Sequence, residues 1–325
     1  MAVFTEVGFD EAAVLTLRVG LGRLKALKPI AAGIENTNYF LSAEHGEFVL
    51  TVFERLSFEQ LPFYLHLMQH LKQRDVPVPG PQADERGEIL HTLHGKPAAI
   101  VDRLRGGHAM APGTVHCRQV GAMLAHMHLA GASYPRHQPN LRGLAWWDET
   151  IPLVRPYLSD AQRALIDTEL AFQHSVAVSA SDAALPRGPI HADLFRDNVM
   201  FDEGPGGHPH LTGFFDFYFA GVDRLAFDIA VCLNDWCIDL PTGRLDEERA
   251  SAFVTAYDDV RPLTGDEQRL LPALLRAAAL RFWVSRLWDV HLPREASMLT
   301  PHDPTHFERV LRERVAAPWH PVLPR

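Results

Sequence analysis

The sequence predicts an α+β fold with two lobes: an N-terminal antiparallel sheet that carries a helix, and a larger, mainly helical C-terminal lobe. In the first lobe, short runs rich in β-branched and aromatic residues, such as 48–53, are bounded by turns that contain glycine. After the segment 104–107, apolar residues recur at a spacing of three and four, which is typical of helices. We therefore place the two lobes at residues 1–103 and 104–325.

The N-terminal lobe is predicted to contain a five-strand sheet and one helix. A turn at 44–47 separates the first two strand candidates and indicates a hairpin. Ser57, with Gln60 three residues later, forms a helix-start signature, and the apolar stripe that follows ends before Pro77. The strand candidates are 39–41, 48–53, 89–93 and 98–101.

The C-terminal lobe is predicted to consist of helices interrupted by one β-hairpin. Thr114 begins a helix that Gly131 closes, and Thr264 with Glu267 forms a second helix-start signature. The hairpin strands are 199–201 and 211–217, and further helices lie near 225–238, 246–259, 264–291 and 303–316.

Composition and charge exclude several classes of protein. The 325 residues are 47% hydrophobic and 22% charged, which suits one large or two ordinary cores and does not suit a disordered chain. A formal net charge of -9 argues against a nucleic-acid-binding surface. The three cysteines form no CxxC pair, and neither a membrane-length apolar run nor a basic leader is present. We therefore expect a cytoplasmic protein without a membrane partner.

One motif indicates chemistry: residues 191–198 (His-Ala-Asp-Leu-Phe-Arg-Asp-Asn), followed by the apolar run 213–217. ATP-dependent phosphoryl transfer needs a base, an amide oxygen and a carboxylate for the metal, and Asp193, Asn198 and Asp216 supply them in that order. The His-x-Asp-x-x-x-x-Asn string alone arises by chance in about one chain of this size in a hundred. The alternative is a solvated loop whose acids cap local backbone. The combined spacing favours a kinase.

Five separated segments add a family resemblance to this motif: 32–40, 48–54, 61–64, 233–237 and 281–287. With them, nearly the whole chain resembles the bacterial homoserine kinases of the aminoglycoside phosphotransferase and choline kinase superfamily, whose fold is protein-kinase-like. The resemblance implies transfer of the ATP γ-phosphoryl group to the hydroxyl of L-homoserine, in threonine biosynthesis, with Mg²⁺ as the metal. We expect ATP and L-homoserine as the only partners of a monomer or homodimer.

The resemblance also implies roles for individual residues. Asp193 matches the catalytic base, whereas Asn198 and Asp216 match magnesium ligands. His191 is expected to hold the loop, and Asp228, at a helix start, to hold backbone. The implied nucleotide contacts, in the N-terminal lobe and at the hinge, are Gly33, Asn36, Thr37, Asn38, Thr51, Val101 and Arg103.

The third strand departs from the superfamily pattern. The lysine that usually pairs with the α- and β-phosphates is replaced by Thr51, a trait that the resembling homoserine kinases share. Glu59, the corresponding helix partner, thereby loses its expected role. Either another cation, Arg103 or Lys28, compensates, or the metals neutralise most of the phosphate charge.

The acceptor pocket should offer an anion to the ammonium of homoserine and a guanidinium to its carboxylate. Arg281 and Arg286 lie on an otherwise apolar helix, where an unpaired guanidinium is costly, so they should meet either internal carboxylates or substrate. Asp235 is the predicted partner of the ammonium group, and Asp239 and Glu35 are alternatives. The predicted acceptor residues are Asp235, Trp236, Arg281 and Arg286.

Two other functions stay open from the sequence. One is a kinase for another small alcohol, such as choline, methylthioribose or an aminoglycoside, although the C-terminal helices alternate acids with arginines rather than forming an acidic cluster. The other is a nucleotide-binding pseudokinase, which Thr51 suggests and the intact motif argues against.

Overall fold

The computed structural model describes residues 5–30, 36–292 and 302–323, which form two compact units. The first unit contains the described chain up to Arg105 together with Gly213–Tyr218, and the second contains Gly106–Thr212 and the described residues from Phe219 onward. The single boundary predicted from the sequence places 213–218 in the C-terminal lobe, because one boundary cannot return a later segment to an earlier unit.

The first unit is built on a five-stranded antiparallel sheet, in the order β1-β2-β3-β5-β4. The predicted α+β class is confirmed, and so is the sheet with its helix; α1 and β1 were not predicted. The elements are α1 Phe9–Arg18, β1 Leu24–Pro29, β2 Asn36–Ala43, β3 Gly46–Phe53, α2 Leu61–Lys72, β4 His91–Leu93 and β5 Lys96–Asp102.

The two faces of this sheet differ because successive side chains on a strand point to opposite sides. On one face Leu41 and Leu50 are buried in a core that includes Leu15 of α1. On the other face Asn38, Thr51 and Ala99 lie in one row, since they are register partners across β2, β3 and β5. This second face carries the polar residues Asn38 and Thr51 of the central strands.

The second unit is mainly helical. Helices α3 and α8 pack closely at Gly121, where a Cβ atom would lie 2.2 Å from the carbonyl oxygen of Phe253. Strand β6 pairs with β9, and β7 with β8, whose last two residues belong to the first unit. The elements are α3 Thr114–Gly131, α4 Leu144–Val154, α5 Asp160–Ala177, α6 Ala180–Ala183, β6 Arg187–Ile190, β7 Val199–Glu203, β8 Pro209–Phe214, β9 Gly221–Arg224, α7 Leu225–Trp236, α8 Glu247–Val260, α9 Gly265–His291 and α10 Thr305–Ala316.

Most predicted helices are present, and two boundaries are corrected. The capping box of Thr264 and Glu267 is confirmed. The strand predicted for 211–217 ends at Phe214, because Asp216 has a φ of 67° and leaves the extended region. The helix predicted from Ser57 begins at Leu61, after a turn. In the described part of the chain, every helix is too short or too polar to span a membrane.

Candidate active site

The loop 191–198 follows β6 and bends sharply at Ala192, whose φ is 64°. A residue with a Cβ adopts this left-handed conformation at a cost of roughly 1–2 kcal/mol, so neighbouring contacts must stabilise it. Asp228, in the first turn of α7, accepts the backbone N–H of His191 at 2.7 Å and that of Ala192 at 2.8 Å. One carboxylate therefore fixes the entry to the loop.

Asp228 is itself held inside the helical unit. Nε2 of His128 lies 3.2 Å from its Oδ2, and Nδ1 of His128 lies 2.7 Å from the hydroxyl of Tyr257. With a proton on Nε2, His128 donates to the carboxylate of Asp228, while its Nδ1 contacts the tyrosine hydroxyl. Burial opposes ionisation of Asp228, but the contacts with His128 and His191 outweigh it and lower its pKa. The loop anchor is therefore an anion at neutral pH.

The rest of the loop is held by the end of α7. Nε and Nη2 of Arg196 donate to the two carboxylate oxygens of Asp235, each at 3.0 Å, and the Arg196 N–H adds a third bond at 2.8 Å. The indole N–H of Trp236 donates to the carbonyl oxygen of Leu194 at 2.9 Å. These contacts correct the acceptor role predicted for Asp235 and Trp236: the carboxylate is used by Arg196, and the indole is completely buried.

Asn198 directs its amide nitrogen into the loop. Nδ2 donates to the carbonyl oxygen of Asp193 at 2.8 Å, and the N–H of Phe195 donates to the same oxygen at 2.8 Å. With the nitrogen fixed inward, the side chain presents its Oδ1 on the other side. An amide oxygen is a suitable ligand for Mg²⁺, so this orientation fits the predicted metal role.

Asp193 lies beside a buried arginine of α9. Nη1 of Arg281 is 3.8 Å from Oδ1 of Asp193, and the Asp193 side chain is 18% exposed. The guanidinium carbon lies 3.7 Å from the ring centroid of Phe282 and 5.0 Å from that of Phe219. Burial lowers the pKa of Arg281 to about 10, while Asp193 acts in the opposite direction. The arginine is still a cation at neutral pH and lies beside the carboxylate of Asp193.

Arg286, further along α9, is bound differently. Its Nη1 donates to the carbonyl oxygen of Asp303 at 3.2 Å, and its guanidinium lies 4.4 Å from the ring centroid of Phe307. Phe307 and Phe195 both lie against Phe282, with centroids 5.0 and 4.4 Å from it. An aromatic cluster therefore joins the loop to α9 and α10, and the sequence analysis did not predict it.

Asp216 lies in the first unit, directly after β8. The strand is fixed there by the N–H of Phe214, which donates to the carbonyl oxygen of Pro77 at 3.0 Å. Two residues after Asp216, Tyr218 packs edge-on against Phe53 and Tyr64, with centroids 5.1 and 6.0 Å away. These contacts position the bend at Asp216, whose φ is positive.

The sheet places the predicted nucleotide contacts on both of its faces. Thr51 donates its hydroxyl hydrogen to Oδ1 of Asn38 at 2.7 Å, and Asn36 and Val101 lie on this same face. Thr37 lies on the opposite face, where it is buried and donates to Glu54 at 2.6 Å. This placement corrects the nucleotide contact predicted for Thr37.

The remaining residues predicted to contact the nucleotide or its phosphates are Arg103, Lys28 and Gly33. Arg103 pairs with Glu47 at 3.4 Å and lies 4.1 Å from the ring centroid of Phe40, so its charge already has partners. Lys28 is exposed on β1. Gly33, together with the alternative ammonium partner Glu35, lies outside the described residues.

Comparison with known proteins identifies the family. The model of the "Phosphotransferase enzyme family" matches residues 26–263. A homoserine kinase of Polaromonas naphthalenivorans is 64% identical over 319 residues, which cover 98% of this chain and 99% of that protein. A second, from Janthinobacterium sp., is 57% identical and covers 99% of both chains. Among solved structures, an amicoumacin kinase in complex with AMP-PNP, Ca²⁺ and Ami has a TM-score of 0.65 at 18% identity, covering 94% of this chain and 92% of that one.

The two-lobed fold and the loop around Asp193 define a phosphotransferase with a kinase-like fold. The chain belongs to the phosphotransferase enzyme family, and its full-length relatives from Polaromonas and Janthinobacterium are homoserine kinases. The resemblance predicted from the sequence is thus confirmed.

Proposed function

We propose that this enzyme transfers the γ-phosphoryl group of ATP to the hydroxyl of L-homoserine, giving O-phospho-L-homoserine and ADP. The observation that carries the proposal is the loop geometry: Asp193 stands on a loop held by Asp228, Asp235 and Trp236, beside the buried guanidinium of Arg281. Homoserine as the acceptor is supported by full-length relatives at 57–64% identity.

In the proposed reaction, Asp193 orients the acceptor hydroxyl and takes its proton as the oxygen bonds to the γ-phosphorus and the bond to the bridging oxygen of ADP breaks. Arg281 lies beside this carboxylate, with its Nη1 3.8 Å from Oδ1 of Asp193. The other contacts of the loop fix the position of the base, which matters because a misplacement of about 1 Å can cost a hundredfold in rate.

Asn198 and Asp216 are the proposed ligands for the magnesium ions that accompany ATP. Bound Mg²⁺ would supply charge neutralisation to the phosphates. Asn198 fits because its nitrogen is already used within the loop, and Asp216 fits because a carboxylate is a hard oxygen ligand. For the nucleotide itself we propose the sheet face that carries Asn36, Asn38, Thr51 and Val101, a face on which Thr51 brings no positive charge.

For the remaining partners we propose only the small acceptor and ATP, in a cytoplasmic monomer or homodimer. The formal net charge of -9 supports the proposal that nucleic acid is not a partner.

The test is an ADP-release assay with L-homoserine, L-serine, choline, methylthioribose and kanamycin as acceptors. We expect homoserine to exceed serine by about a hundredfold in kcat/KM, because serine is one methylene too short to bring its hydroxyl to Asp193. Equal turnover of serine, or a better rate with choline, methylthioribose or kanamycin, would overturn the choice of acceptor. ATP binding without ADP release on any acceptor would instead indicate a pseudokinase.

A further inference from the structure

Arg281 carries a buried hydrogen-bonding edge that the chain does not use. The residue is 3% exposed, and its Nε and Nη2 have no hydrogen-bond acceptor among the residues that the structure describes. These two N–H groups lie side by side on the guanidinium and match the two oxygens of a carboxylate. A buried cation with unused donors is costly, so this edge is suited to an anionic ligand.

Two other arginines show how the same edge is satisfied within this protein. Arg196 uses Nε and Nη2 to bind the two oxygens of Asp235. Arg276, on α9 like Arg281, uses the same two nitrogens to bind Oε2 of Glu169 at 2.9 and 2.5 Å. In both cases a carboxylate occupies the edge. The edge of Arg281 has the same chemistry and lacks such a partner in the described chain.

The position of Arg281 suits a ligand that must also reach the base. Its third nitrogen, Nη1, is the one that lies 3.8 Å from Asp193, so the Nε–Nη2 edge is separate from that contact. An extended homoserine measures about 5 Å from its carboxylate carbon to its hydroxyl oxygen, from ordinary bond lengths. With a hydrogen bond of about 3 Å at each end, this reach exceeds the separation of Arg281 and Asp193, so a bent homoserine is long enough to contact both groups.

We propose that Nε and Nη2 of Arg281 bind the α-carboxylate of the acceptor, so that this residue selects an amino acid over an amino alcohol or an amide. The proposal rests on the proposed function and deepens it. Arg286 is given a different role: its Nη1 donates to the carbonyl oxygen of Asp303 and its guanidinium lies 4.4 Å from the ring centroid of Phe307, so it supports the α9–α10 packing. The structure thus separates two arginines that sequence analysis treated alike.

The experiment compares L-homoserine with L-homoserinamide, which has the same length and ammonium group but a neutral amide in place of the carboxylate. In the wild-type enzyme we expect kcat/KM to favour the acid on the order of tenfold to a hundredfold, the value of a charge-assisted pair of hydrogen bonds. Arg281→Met should abolish this preference and leave the KM for ATP unchanged. The preference is the decisive quantity, since a role limited to supporting Asp193 would lower both rates together and leave their ratio intact.

Two further variants control the test. Arg276→Met makes the same substitution on the same helix, at an arginine whose edge is occupied by Glu169, and should keep the acid preference. Arg281→Lys retains the charge but not the planar fork, so it should lose most of the preference even if Arg281→Met fails to fold. Thermal unfolding should show protection by homoserine in the wild-type enzyme and weaker protection in Arg281→Lys.

An unchanged acid-to-amide ratio in Arg281→Met, or in Arg281→Lys if only that variant folds, would overturn the assignment of Arg281. The proposed function would survive that result as long as the wild-type enzyme phosphorylates homoserine. A wild-type enzyme that phosphorylates neither compound would refute the proposed function itself.

Discussion

The loop 191–198 and the adjacent face of α9, both in the second unit, differ in how their buried polar groups are hydrogen-bonded. In the loop, Asp228 takes two backbone N–H groups and Asp235 takes the guanidinium fork of Arg196. On α9, Arg281 is equally buried, yet two of its donors lack an acceptor in the described chain. Buried polar groups that are hydrogen-bonded within the chain hold a fixed geometry, whereas buried donors without an acceptor are available to bind a ligand. In the proposed function, the first would position Asp193 and the second would bind the acceptor.

The largest expected effect is on turnover, at Asp193. Asp193→Ala should lower kcat by about 10²–10⁴, the usual contribution of a positioned base. Because the loop is anchored through Asp228, Asp235 and Trp236, we expect ATP binding to change little. Asp197→Ala, an exposed acid in the same loop, is the control and should stay within a few-fold of wild type. Wild-type turnover in Asp193→Ala would remove the base from the mechanism.

The next effect is on stability. It compares the buried ion pair of Arg196 and Asp235 with the exposed ion pair of Arg155 and Asp167. Asp235→Ala leaves the buried guanidinium of Arg196 without its partner and should cost about 3–5 kcal/mol in the free energy of unfolding, measured by urea denaturation. Asp167→Ala breaks the ion pair between Asp167 and Arg155, whose side chains are 45% and 48% exposed, respectively. This substitution should cost less than about 1 kcal/mol in the free energy of unfolding. Equal costs at the two sites would contradict the contrast between satisfied buried groups and solvated ones.

Asp228→Asn is a nearly isosteric change that tests whether Asp228 holds the backbone of His191 and Ala192. The new amide nitrogen must face one of the N–H groups that the carboxylate now accepts, so one buried donor loses its partner at a cost of about 1–3 kcal/mol. With Ala192 less constrained, kcat should fall while the KM for ATP is retained. Asp259→Asn, an exposed acid, supplies the control. A variant with full kcat would show that the bend at Ala192 does not depend on Asp228.

A further effect is a pH dependence of stability that arises at His306 on α10. Burial, with Arg286 and Arg309 nearby, lowers the pKa of His306 to about 4, although Asp235 acts in the opposite direction. Since the unfolded value is near 6.5, the unfolded state binds more protons between these values, so the free energy of unfolding should fall as pH is lowered from about 6.5 to about 4. His306→Asn should flatten that part of the profile. A wild-type profile with the opposite slope, or one that His306→Asn leaves unaltered, would contradict this assignment.

The sequence predicted the features that depend on local signals. The capping box at Thr264 and most helices are of this kind, because neighbouring residues determine them. The motif with Asp193 and Asn198 is also a local pattern, and its role stays a prediction. The packing of Arg281 beside Asp193 and the fork between Arg196 and Asp235 join residues far apart in sequence, and no local pattern specifies them. For that reason the acid at the end of α7 was predicted as a substrate contact and proved to be an internal partner.

The central claim is that this enzyme phosphorylates the hydroxyl of L-homoserine with Asp193 as the base. The most direct measurement is phosphorus NMR of a reaction containing ATP, Mg²⁺ and L-homoserine, with product identity checked by mass spectrometry. We expect a phosphate monoester of homoserine to appear together with ADP in equal amounts, and to be reduced to trace levels with Asp193→Ala. ADP that appears with inorganic phosphate alone, or an ester formed equally well by the variant, would contradict the account.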